Sequence, residues 1–143
     1  MLQSFFLFIP LLLTKAEIPI NISTYNEAKH VTFLEQNLDK AKQTVLSYQN
    51  KKISESVAIQ HLGILLGKCR NIQGLLTNAI QNPSRIHSKR FIKLLQAQSI
   101  FETYLTTEVL ALDGDKESEF FGRSLQLRLM KLLPSFHTSP AKL

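Results

Sequence analysis

Residues able to do chemistry are few in this chain and poorly spaced for it. The four histidines, His30, His61, His87 and His137, are scattered, and none stands at metal-ligand spacing from the single cysteine, Cys69, or from a carboxylate. His61 and Cys69 lie eight positions apart on roughly one helical face. Two turns of helix separate such residues by about 12 Å along the axis, too far for a thiol–imidazole hydrogen bond. The run Asp113-Gly114-Asp115-Lys116-Glu117 looks like the opening of a calcium loop. Such a loop needs Gly at its sixth position and Glu at its twelfth, where this chain carries Ser118 and Ser124. Carboxylates capping a helix explain the same residues. No HExxH, CxxC, phosphate-cradling glycine loop or GxSxG occurs. The expectation is a protein that is not an enzyme, with no metal and no cofactor.

Three other groups of residues suit binding. The first is basic: Arg85, Lys89, Arg90 and Lys93. At 100° per residue, Arg85, Lys89 and Lys93 share a face opposite Phe91, Leu95 and Leu105, in the first turns of a helix. Positive charge there opposes the helix dipole at about 0.3–1 kcal/mol each, a cost that a docked anion would relieve. No aromatics interleave the cations to stack bases, so a solvated face is the simpler account of them. The second group is Gly63, Gly67 and Gly74, which fall within about 40° of one another on a helix. Three such glycines cost about 2.5–3 kcal/mol relative to Ala, so they mark either a groove for a closely approaching helix or partner, or local weakness. The third is a fourth helix that is apolar nearly all round. Phe121, Leu125, Leu129, Leu132 and Leu133 make one face, and Phe120, Leu127 and Met130 lie across from it. Such a helix is either central to a core or has a second client, such as a partner groove, another copy or a membrane surface.

The elements that must position these residues follow from prolines and periodicity. Prolines at 10, 19, 83, 134 and 140 leave two long proline-free stretches, and proline costs about 3 kcal/mol inside a helix. Val31, Leu34, Leu38, Ala41, Val45 and Tyr48 recur at spacings of three and four, one stripe of an amphipathic helix. A capping box of Thr24 and Glu27 would start it, giving a helix over 24–50. The run Gln49-Asn50-Lys51-Lys52 breaks it. Ser54 then caps a second helix that carries Ala58, Leu62, Leu65, Cys69, Ile72, Leu76 and Ala79 and ends near Gln81, before Pro83. The third is expected from Ser84 to Leu112, with Phe91, Leu94, Leu95, Phe101, Leu105, Val109 and Leu112 inward. The fourth is expected over 116–133, started by Asp115 and stopped by Pro134. Strands are not expected, because alternating patterns and hairpin dipeptides are missing. The fold class is all-α: an up-down bundle of three long helices plus a shorter fourth.

The N-terminus adds a destination. Phe5–Leu13 is an apolar run too short for the roughly 20 residues that cross a bilayer, and Thr14 and Ala16 stand where a signal peptidase requires small residues. A signal peptide over 1–16 leaves a mature chain that begins at Glu17. The formal net charge of the whole chain, +6, then loses only Lys15. That surplus points only faintly to anionic partners. With Cys69 alone, no intramolecular disulfide can form, so packing, oligomerisation or a Cys69–Cys69 bridge must hold the domain. Asn21-Ile22-Ser23 is a glycosylation sequon if the host is eukaryotic. The expected layout is a signal peptide over 1–16, a helical domain over 17–134 and a loose tail over 135–143. The expected function is an exported protein, extracellular or periplasmic, that binds another protein through Phe120, Leu127 and Met130, with Gly63, Gly67 and Gly74 as a second face. The alternatives are a polyanion-binding module on Arg85, Lys89, Arg90 and Lys93, for a glycan or nucleic acid, and a membrane-active or self-assembling protein.

Overall fold

The structure is a computed structural model that describes residues 25–83 and 88–137. The expected signal peptide, the sequon at Asn21, the cap at Thr24, and Arg85 and His87 lie outside the described residues. The fold is all-α: four helices and a closing 3-10 turn, with no strand among the described residues.

Each helix begins where a polar side chain satisfies the free amides of its first turn. Helix α1 is Glu27–Gln49, and its cap is Asn26, whose Oδ1 accepts from the Lys29 amide at 2.9 Å. The start therefore falls later than the Thr24 capping box implied. At its C-terminus Lys51 takes a left-handed φ of 60°, the conformation that reverses the chain into the next helix. Helix α2, Glu55–Ile80, starts as expected on Ser54 and stops at Gln81. Helix α3 is Lys89–Ala111. Ser88 is extended and its hydroxyl accepts from the Phe91 amide at 3.2 Å, so the helix does not run unbroken from Ser84. A serine that can cap competes with its own helical conformation, and here the cap wins. Gly114, at φ 90°, makes the turn into α4, Lys116–Leu132.

Pro134 ends the α-helix but not the packing. Leu133–His137 tightens into a 3-10 turn, burying Leu133 and Phe136 to 3% exposure each. The loose tail expected from Ser135 is thus corrected for 135–137: the helical domain continues to His137. A residue after a proline shows no periodicity, yet a phenylalanine there still gains by leaving water.

Helix α3 is the centre of the fold and packs against α1, α2 and α4. Its Leu94, Phe101, Tyr104 and Leu105 are fully buried among Leu34 and Ala41 of α1, Ala58 and Leu62 of α2, and Leu129 of α4. A second cluster gathers Tyr25, Leu76, Ala79 and Phe91. Cys69 is free and buried in the first cluster, so a bridge between chains would require the core to open. Among the described residues, no helix is long and apolar enough to cross a membrane.

Candidate functional site

Helix α4 is built with two unequal faces. Asp115 Oδ1 accepts from the amides of Glu117 and Ser118 at 3.1 and 3.4 Å, and Oδ2 accepts from the Ser118 hydroxyl at 3.0 Å. These bonds, the Ser118 hydroxyl's first, hold the Asp115 carboxyl below its usual range. From that cap the helix turns Gly122, Leu125 and Leu129 into the core. Gly122 crosses α3 so closely that a Cβ there would stand 2.6 Å from Glu108 Oε2. The opposite face is exposed: Phe120 is 74% exposed, Leu127 58% and Met130 43%. Phe121, read from sequence as part of the inward face, is also 49% exposed.

Beside this face, α1 and α4 bound a groove of about 430 Å³, with Val45, Leu46 and Leu127 on its sides and Glu108 among its lining. Leu46 is itself exposed. Burial pushes the Glu108 carboxyl up to about 7; nearby Glu119 adds to the rise and Arg123 opposes it. Arg123 is held by Glu119 at 3.5 Å, one helical turn away. Gln126 accepts from the Tyr104 hydroxyl at 3.3 Å, which ties the outer surface of α4 to the centre of α3.

The glycines lie on α2, away from every other element. A Cβ added at Gly63, Gly67 or Gly74 would meet nothing within 4 Å. Among the described residues no other helix approaches them within contact distance, so the face is open there.

Among the described members of the basic cluster, Arg90 differs from the two lysines. Arg90 turns inward: its Nε lies 3.2 Å from Glu27, its Nη2 donates to the Phe136 carbonyl at 2.7 Å, and its guanidinium covers the Phe136 ring at 5.4 Å. Arg90, expected from sequence in an anion site, thus fastens distant parts of the described chain. Lys89 is exposed at the start of α3. Lys93 instead lines a groove of about 650 Å³ with Arg128 and Lys131, whose wall among the described residues includes no carboxylate.

Sequence reasoning missed a polar network inside the fold. Tyr25 and His30 Nδ1 are hydrogen-bonded, His30 Nε2 pairs with Gln98 Oε1 at 2.8 Å, and Gln98 Nε2 donates to Glu102 at 2.8 Å. Gln73 Nε2 donates to the same Glu102 oxygen at 2.7 Å. A carboxylate only accepts, so the Gln98 amide nitrogen must face Glu102 and its oxygen His30. His30 therefore carries its proton on Nε2, and its Nδ1 accepts from the Tyr25 hydroxyl. Burial holds the His30 pKa below the ordinary value, with the Gln98 bond opposing. Cys69 lies close by, its thiol pushed up to about 12, first by burial and then by the charge of Glu102. A thiol at that value is not a nucleophile at neutral pH. His30 and Gln98 are 2% and 1% exposed, so this part of the network binds helices to one another. Among the described residues, no group of three or more His, Cys, Asp or Glu could hold a metal ion.

Compared with family models, curated proteins and solved structures, the chain matches none of them.

Proposed function

We propose that this chain is an exported, non-enzymatic up-down helical bundle that acts by binding another protein through the outward face of α4. Export rests on the apolar run Phe5–Leu13 and the small residues Thr14 and Ala16. The up-down order rests on short connections, 50–54 between α1 and α2 and 112–115 between α3 and α4, which favour antiparallel neighbours. The observation that carries the binding role is the exposure of Phe120, Leu127 and Met130, at 74%, 58% and 43%, on a helix whose other face is already buried. Single exposed apolar residues are ordinary, but a contiguous set on one helix is the mark of an interaction surface.

The test uses Phe120→Gln, Leu127→Gln and Met130→Gln together. The triple variant is expected to melt like the parent and to lose the partner that the parent captures from its own compartment. Had these residues been core, each change would cost about 2–5 kcal/mol, and a melt far below the parent's rejects the interface. N-terminal sequencing of exported material is expected to begin at Glu17; protein that keeps Met1–Leu13 in the cytosol rejects export.

A second reading is polyanion binding, supported by the groove of Lys93, Arg128 and Lys131, which holds no acidic side chain among the described residues. Neutralising the three is then expected to lower the salt at which the chain leaves heparin, because exposed ion contacts are screened within about 10 Å at 0.1 M salt. Elution at the parent's salt rejects this reading.

A further inference from the structure

We propose that the partner seated on the α4 face is a second copy of this chain, docked antiparallel about a two-fold axis. This proposal rests on the reading of α4 as a binding face and names what covers it.

The first support is the order of charge. Asp113, Asp115, Glu117 and Glu119 stand with the single cation Lys116 at the start of α4, whereas Arg123, Arg128 and Lys131 follow with no carboxylate through His137. That gradient suits the dipole of the helix itself. It also makes the helix complementary to its own reversed copy, since an antiparallel neighbour sets each acidic end against a basic end twice over. A parallel neighbour would stack like on like. The two dipoles also oppose each other only in the antiparallel arrangement.

The second support is spacing. Phe120 and Leu127 are two turns apart on the outward line of α4, with Ser124 between them. An axis beside Ser124 sets Phe120 on the partner's Leu127, and the partner's Phe120 on Leu127. In the same register Glu117 faces the partner's Lys131. Ser124 is small and exposed, so the backbones can approach at the axis. Arg123 also comes near its own copy there, but each Arg123 is already paired with Glu119, so the axis is crossed by two neutral pairs.

The third support is shape. Leu127 is a wall of the groove of about 430 Å³ that also includes Val45 and Leu46. A phenyl ring arriving at Leu127 therefore meets a recess whose apolar side is Val45, Leu46 and Leu127 and whose remaining wall is polar, rather than a flat surface. A specific interface needs about 1,000 Å² in all, and buried aromatic side chains of about 150–250 Å² each are its largest contributors. Phe120 and Phe121 from both copies supply much of that area.

The test is sedimentation of the full chain, alone, as produced by a cell that processes its N-terminus. The parent is expected to be dimeric at about 10–100 μM, the regime of a modest interface. Phe120→Gln with Leu127→Gln is expected to be monomeric, with a melt equal to the parent's once both are diluted below the dimer's dissociation constant. Glu117→Lys is expected to raise the dissociation constant roughly tenfold, and adding Lys131→Glu in the same chain to restore it, because the reversed pair meets itself across the axis. A parent that stays monomeric overturns the second copy as partner, while capture of another protein through α4 would leave the binding face standing. A dimer indifferent to the α4 changes overturns this proposal, and capture of a partner that is equally indifferent overturns the binding face too. Loss on Glu117→Lys without restoration by Lys131→Glu overturns the antiparallel register.

Discussion

His30 and Glu108 are ionisable groups whose surroundings bias them in opposite directions. The folded pKa of His30 lies below its ordinary 6.5 because burial disfavours the imidazolium. The unfolded chain thus takes up the proton first, and the stability that neutral His30 contributes is present above about 6.5 and lost as pH falls through the folded value. Glu108 is raised from 4.5 to about 7. Its contribution is fully present below about 4.5 and is lost as pH rises towards 7, with an upper bound of roughly 3 kcal/mol. Thermal melts between pH 4 and 8 are therefore expected to separate in two variants. Glu108→Gln should remove the decline between about 4.5 and 7, and His30→Gln should remove the loss on the acid side of about 6.5. Parallel profiles for parent and both variants would mean that neither group is held as described. Neither residue announced itself in the sequence. His30 looked like one of four scattered histidines, and its partner Gln98 is 68 positions away, beyond the reach of any local pattern. Glu108 sat on a helix face whose burial depends on Gly122 of the next helix, a contact that no periodicity encodes.

Glycine shows how differently one residue type can act in two helices. Gly63, Gly67 and Gly74 of α2 have open space where a Cβ would go, whereas Gly122 of α4 has the Glu108 carboxylate at 2.6 Å. Alanine at any of the three on α2 is expected to stabilise the fold by about 0.5–1 kcal/mol, through helix propensity and a less free unfolded chain. Gly122→Ala is expected to lose most or all of that gain, because the Glu108 carboxyl end must swing aside to admit the methyl. Urea denaturation of the four variants checks this, and the gap between Gly122→Ala and the other three is the decisive reading. At this scale most of the fold was legible. Caps at Ser54 and Asp115 are local chemistry, and the stripes of α1 and α2 obey the helical period with few exceptions. The starts of α1 and α3 were not legible, since Thr24, Asn26, Ser84 and Ser88 are all good caps by type. The choice falls to tertiary contacts: Tyr25 packs its ring on His30 and Phe91, which fixes the chain just ahead of Asn26. The outward face of α4 was legible as an apolar strip, but whether core or solvent lay beyond it depended on how many helices were available to cover it.

On the scale of the whole molecule, a chain of this size without a disulfide must close its core at the ends as well as along the helices. The closure is made by three distant points. Glu27 at the start of α1 pairs with Arg90 at the start of α3, and Arg90 reaches the carbonyl and the ring of Phe136 just past α4. His137 adds a contact at 2.7 Å to Glu35 of α1. Arg90 thus joins the beginning, middle and end of the described chain, and it does so with its guanidinium only partly exposed, where such bonds are worth more than at an open surface. Phe136→Ala is expected to cost about 3–5 kcal/mol, the range for a buried phenylalanine. Arg90→Ala is expected to cost about 1–3 kcal/mol, because the Phe136 carbonyl loses a charge-assisted bond and Glu27 its cation. The double variant should cost less than the two separately, by about 0.5–2 kcal/mol, since the ring and the guanidinium lose the same contact in each. Urea denaturation of the four proteins completes the cycle. Additive losses would mean that Arg90 and Phe136 stabilise the fold independently, and a Phe136→Ala variant as stable as the parent would return residues 135–137 to the loose tail that the sequence suggested.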